Sequence, residues 1–118
     1  MKSYSEVRGI DPDFRIQYHW INQEQKPFQH MRSDFRYAES FGDEGIWMIW
    51  PEFEDSEGRV IEEGAPIPHN GYATMWILVR EEKYLGMHRS RIKKGLKGEL
   101  VVGSRVLANV VVIEKIGL

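Results

Sequence analysis

Phe14-Arg15-Ile16-Gln17-Tyr18-His19-Trp20 alternates apolar and polar residues through its whole length. That is the pattern of a strand with one face buried and the other in water. The same period of two recurs along the chain, and no long segment with a helical period competes with it. Asp34–Glu39 reads as a second strand. Ile46-Trp47-Met48-Ile49-Trp50 is apolar on both faces and predicts a central strand, with Pro51 closing it or marking an edge. Arg59–Glu62 predicts a short strand between Gly58 and Gly64, and Tyr72–Val79 another, after the turn-forming run Pro66–Gly71. Gly98–Val102 and Arg105–Ile116 flank Gly103-Ser104, a pair suited to a two-residue hairpin turn. Glu81–Lys94 is the only candidate helix, and Gly86 inside it favours a loop or one short turn. Seven or eight strands with short turns predict an all-β fold, a single closed or nearly closed antiparallel β-barrel over residues 1–118.

At 118 residues, 42% hydrophobic and 29% charged, the chain suits one globular domain. Such a chain buries roughly two-thirds of its unfolded surface, so one core suffices without staples. The absence of cysteine excludes disulfides, thiolate zinc sites and cysteine nucleophiles. No signal-peptide core precedes Phe14, and the apolar stretches are too short to cross a bilayer, so a cytoplasmic protein without a membrane partner is expected.

The net charge of −2 hides a segregation. Residues 39–63 hold nine acids and one base, and residues 80–105 hold eight bases and three acids. Two solvated loops that neutralise each other are the plain reading; separate fields that select partners are the other.

Three stretches carry a family resemblance. Pro27–Tyr37 pairs Pro27-Phe28 with an Arg-x-x-Phe strand at Arg32 to Phe35. Phe14–Trp20 is followed by the polar loop Asn22–Lys26. Gly98–Val111 ends in a Gly-x-Arg turn and a Val-rich strand. Together, in their order along the chain, they resemble the C-terminal (third) β-barrel domain of elongation factor Tu. The resemblance implies a barrel of that kind, contacts with the acceptor and T-stem side of tRNA, and contacts with protein partners. Three features depart from the pattern. Residues 51–71 look like an acidic loop insertion, Ser104 stands where a second Gly is expected, and no GxxxxGK[ST] stretch occurs, so GTP chemistry is not implied.

The basic run Arg89, Arg91, Lys93, Lys94 and Lys97 could neutralise phosphates by counterion release, with Tyr84 nearby for stacking. The acidic run Glu52, Glu54 and Asp55 could meet a basic protein partner. Trp47 and Trp50 would face opposite sides of their strand, leaving one outside the core as a contact point. His19, His30, His69 and His88 show no HxH or HxxxH spacing, so no metal is expected. No nucleophile elbow appears, and neither a cofactor nor catalysis is expected. The sequence thus predicts a non-enzymatic module that docks a protein through Trp50, Glu52, Glu54 and Asp55. RNA binding through the basic segment 88–97 is the alternative, and self-association stays open.

Overall fold

The structure, a computed structural model, describes residues 2–42 and 45–118. Asp43 and Glu44, two acids of the 39–63 run, lie outside the described residues. In chain order the elements are α1 (Tyr4–Arg8), β1 (Phe14–Trp20), β2 (Asp34–Tyr37), β3 (Ile49–Glu54), β4 (Asn70–Ile77), α2 (Glu82–Arg91), β5 (Lys97–Val102) and β6 (Arg105–Lys115). The six strands form one antiparallel sheet in the order β2-β5-β6-β1-β4-β3.

The expected alternation holds in β1: Phe14, Ile16, Tyr18 and Trp20 point into the core, while Gln17 and His19 face water. Opposite them, Ala73 and Met75 of β4 and Ala108, Val110 and Val112 of β6 complete the inner face. Two register steps bend the long central strand. Leu107 has no partner on β5 and Ile113 none on β1, so each is the extra residue of a bulge. Gly103 sits at φ +60° at the first position of the β5–β6 turn, the geometry of a type II′ hairpin.

The sheet curls on itself but does not close. Its two outer strands approach at one bridge, where Phe35 and Trp47 exchange both backbone hydrogen bonds at 2.9 and 2.8 Å. Among the described residues no ladder continues from there, so the molecule is a curled half-barrel, and the closed or nearly closed barrel expected from the sequence is met only as far as the curl. Pro51 does mark an edge, because β3 ends the sheet. That edge is blunted by the side chain of Gln29. Its amide donates to the carbonyls of Phe53 and Ile61 and accepts from the Phe53 N–H. The predicted strand Arg59–Glu62 reduces to a single Glu54–Val60 bridge along this edge.

Two helices depart from the expectations. Residues 82–91 form a helix despite Gly86, because tertiary contacts outweigh a propensity loss of about 1 kcal/mol. His88 is buried, Leu85 packs on the core, and Ile92 after the last turn is fully buried. His88, Arg89 and Arg91 in the last turn face the negative end of the dipole, and Lys115 Nζ donates to the Arg89 carbonyl. The N-terminal α1 is capped by Ser3, whose hydroxyl accepts the Glu6 N–H at 3.2 Å, and stopped by Gly9 in the left-handed region.

Candidate functional site

The acidic segment enters the sheet instead of looping out. Ile49, Pro51 and Phe53 of β3 point inward, so Trp50, Glu52 and Glu54 fall on the outer face. There they are covered. Glu52 is 1% exposed: its carboxylate accepts the Tyr4 N–H at 2.9 Å and the His30 Nε2–H at 2.6 Å. Glu54 is 5% exposed and receives the Arg15 Nε–H at 2.8 Å, while Arg15 also reaches Glu114 at 2.7 Å. The Glu54 carboxylate in turn helps hold the Arg15 pKa above its ordinary value. The Trp50 indole donates to Asp34 at 3.3 Å, with the Arg32 guanidinium 5.4 Å from the ring centroid. Asp55 spends its carboxylate on the N–H groups of Glu57 and Arg59, closing a turn. The expected free acidic surface is therefore absent at Glu52 and Glu54. A buried carboxylate needs partners, and this fold supplies them from α1, His30 and Arg15.

Around Glu52 the structure joins groups that are far apart in sequence. His30 takes a positive φ of 65°, costly for a residue with a side chain, and its imidazole also lies 3.9 Å from Glu63. Tyr4 stacks on it with centroids 4.6 Å apart and meets Trp76 edge-on. Burial, helped by the Glu52 charge, raises the Tyr4 pKa. Trp76 points away from the core, yet it is only 2% exposed, because α1 lies over it with Arg8 above the ring. This cluster fastens the N-terminal helix to the sheet. Sequence reasoning missed it, although Ser3, Glu6 and Gly9 spell a helix start and stop.

The basic segment divides in two. Arg89 pairs with Glu82 at 3.0 Å, and Arg91 lies over the rings of Tyr37 and Phe41, at 5.4 and 4.5 Å from their centroids. Tyr84 faces Trp47, and Trp47 leans edge-on against His88, so the expected stacking residue is engaged inside the fold. Lys93, Lys94 and Lys97 are exposed and share a concavity of about 460 Å³ with Ala38, Glu39 and Leu96. Among the described residues none of these three lysines enters an ion pair.

Among the described residues the charge runs meet at one end only: Glu39, the first acid of its run, lines the lysine concavity, whereas Glu52, Glu54 and Asp55 lie across the sheet. Along the outer face the register Glu54–Tyr72–Gln17–Val111–Lys97 crosses five strands. Four inter-strand steps of ~4.8 Å put about 19 Å between its ends along the sheet, beyond the ~8 Å screening length of physiological salt. The carboxylates of β3 therefore do not neutralise the lysines, and among the described acids of that run Glu39 is the one placed beside them. Among the described residues no helix is long and apolar enough to cross a membrane. No protein-family model matches the chain, and no curated protein matches it.

Proposed function

We propose that the chain is a non-enzymatic RNA-binding module whose phosphate contacts are Lys93, Lys94 and Lys97. The observation that carries this reading is their convergence, unpaired among the described residues, on one concavity. Clustered lysines gain affinity for phosphates by counterion release without needing base contacts. The separation of Glu52, Glu54 and Asp55 from this cluster supports the reading despite the negative net charge. Arg89 and Arg91, already engaged with Glu82 and with aromatic rings, play a secondary part. The order of the segments 14–20, 27–37 and 98–111 supports relating this curled sheet to the third-domain barrel of elongation factor Tu, and a cytoplasmic setting belongs to the same reading.

Titrating labelled tRNA and unstructured RNA with the protein over a range of salt tests this. Log affinity should fall linearly with log salt, and the Lys93→Ala/Lys94→Ala pair should flatten the single-strand slope by about 1.4. Failure to bind any RNA at low salt, or affinity that ignores salt, refutes it. Protein captured from extract after ribonuclease treatment, with no RNA retained before it, would favour a protein-docking role instead.

A further inference from the structure

We propose that the outer face of β1, β6 and β5 is a single-stranded RNA site, in which the side-chain amides of Gln17 and Asn109 read base edges. This rests on the RNA reading above and adds where, and in what form, the RNA lies. Two cross-strand rows build the floor. One runs Asn70–His19–Asn109–Glu99–Arg36 and the other Tyr72–Gln17–Val111–Lys97. Gln17, His19, Asn70, Lys97 and Asn109 border one shallow cavity of about 470 Å³ on this face.

The chemistry of the floor is selective. Each amide offers two N–H donors and a carbonyl acceptor in one plane, the complement of a base edge. Three other amides, Asn22, Gln25 and Gln29, are spent on backbone groups, while Gln23 lies exposed in the loop after β1, outside the lining of this cavity. The side-chain amides of Gln17 and Asn109 make no hydrogen bond to a described residue and stand at the middle of the face, on its two central strands. Of the charged groups, Glu99 is neutralised by Arg36 at 2.8 and 2.7 Å, which leaves Lys97 as the unpaired charge at the rim.

Lys97 and Ala38 border both this floor and the lysine concavity. A backbone held by Lys93 and Lys94 therefore passes onto the floor at Lys97 and delivers its bases to Asn109 and Gln17. Tyr72, exposed at the far end of the second row, is placed to stack the last of them. An A-form duplex hides its major-groove edges in a deep, narrow groove and offers a shallow minor groove read mostly by shape, so amides that discriminate bases find their complement in splayed single strands. The ligand is accordingly unpaired RNA with splayed bases.

The test is fluorescence anisotropy of the full chain with labelled homopolymers of A, C, G and U and with an RNA duplex. Single strands should bind about tenfold or more tighter than the duplex, and the four homopolymers should rank unequally. Asn109→Leu and Gln17→Leu, both at exposed positions, should bring the four within about twofold of one another and leave the salt slope unchanged. Lys97→Ala should do the reverse, flattening the slope by about 0.7 and preserving the ranking. Equal affinity for duplex and single strand, an unranked parent protein, or a ranking that survives both leucine substitutions overturns the proposal. If Lys93→Ala/Lys94→Ala still weakens binding in those cases, the RNA reading stands without the base-reading floor. Absence of binding to every RNA at low salt overturns both.

Discussion

Replacing Arg80 by methionine removes the main partner of a fully buried carboxylate, Asp13. Asp13 is 1% exposed, and both its oxygens are held by Arg80 at 3.0–3.2 Å, with the Ile77 N–H at 2.8 Å as the remaining donor. Breaking a buried ion pair by deleting one partner costs about 3–5 kcal/mol, because the other charge stays buried. Arg80 is 33% exposed, so water already weakens the pair, and the retained Ile77 N–H softens the loss. A value near the bottom of the range follows, about 3 kcal/mol. Against a total stability of about 5–15 kcal/mol this is a large fraction. At roughly 4 °C per kcal/mol for a chain of this size it lowers the Tm by about 12 °C. Urea melts of the parent and Arg80→Met give the number directly. The Asp13→Asn/Arg80→Met double variant is the control, since a neutral amide oxygen still accepts the Ile77 N–H without a stranded charge. It should recover at least half of the loss. A single-variant cost below about 1 kcal/mol, or a double variant no more stable than the single, refutes the reasoning.

Three further outcomes follow from local geometry. Gly98→Ala would place a methyl 2.6 Å from the Phe35 ring and 2.9 Å from the Arg36 carbonyl, so a loss of about 2 kcal/mol or more is expected in a thermal melt. Gly86→Ala meets only flexible side-chain ends, Glu82 Oε1 at 3.4 Å and Arg89 at 3.9 Å, and should stabilise α2 by about 0.5–1 kcal/mol in the same assay. Burial pushes the Tyr18 phenol up to about 12 from 10.0, and its hydroxyl donates to the Pro68 carbonyl at 2.8 Å. Below pH 10 both states keep the proton. As pH rises from 10 to about 12 only the unfolded chain releases it, so stability falls by about 2–3 kcal/mol. Urea midpoints on either side of that window should show the fall, and Tyr18→Phe should remove this part of it.

What the sequence disclosed was whatever depended on neighbours along the chain. The alternation of Phe14–Trp20 and the Gly103-Ser104 turn carry their structure in their own residues, and both stand as read. Residues 82–91 form a helix where the local signal favours a loop, because propensity at Gly86 is a small term beside the burial of His88 and Ile92, which is decided by distant strands. Glu52 and Glu54 looked like surface because acids usually are. Their burial depends on Tyr4, His30 and Arg15, between 22 and 48 residues away. Among the basic residues, charge density alone could not separate Arg89, paired with Glu82 at the surface, and Arg91, laid over aromatic rings, from Lys93, Lys94 and Lys97, which enter no ion pair among the described residues. The amide rows of Gln17 and Asn109 needed the register of three strands, which no single stretch of sequence contains.

The pairing of β1 with β6 sets the order in which the molecule can be made. Phe14 lies opposite Lys115 at the centre of the sheet, and the Gly117 N–H closes on the Pro12 carbonyl at 3.0 Å. A loop of about a hundred residues must therefore close before β1 acquires its second neighbour, and loop entropy makes such long-range pairing slow. During synthesis β1 and β4 are left with an open flank that β6, emerging last of the strands, must fill. The β5–β6 hairpin can form locally and arrive ready-made, so folding is gated by its docking. The meeting of residues 12 and 117 also makes the chain a natural substrate for circular permutation. A permutant that keeps α1 ahead of β1, joined to the end of β6 by a flexible linker and opened at the exposed turn Asp55–Gly58, would convert the slowest pairing into a local one, and should speed folding while leaving the sheet order intact.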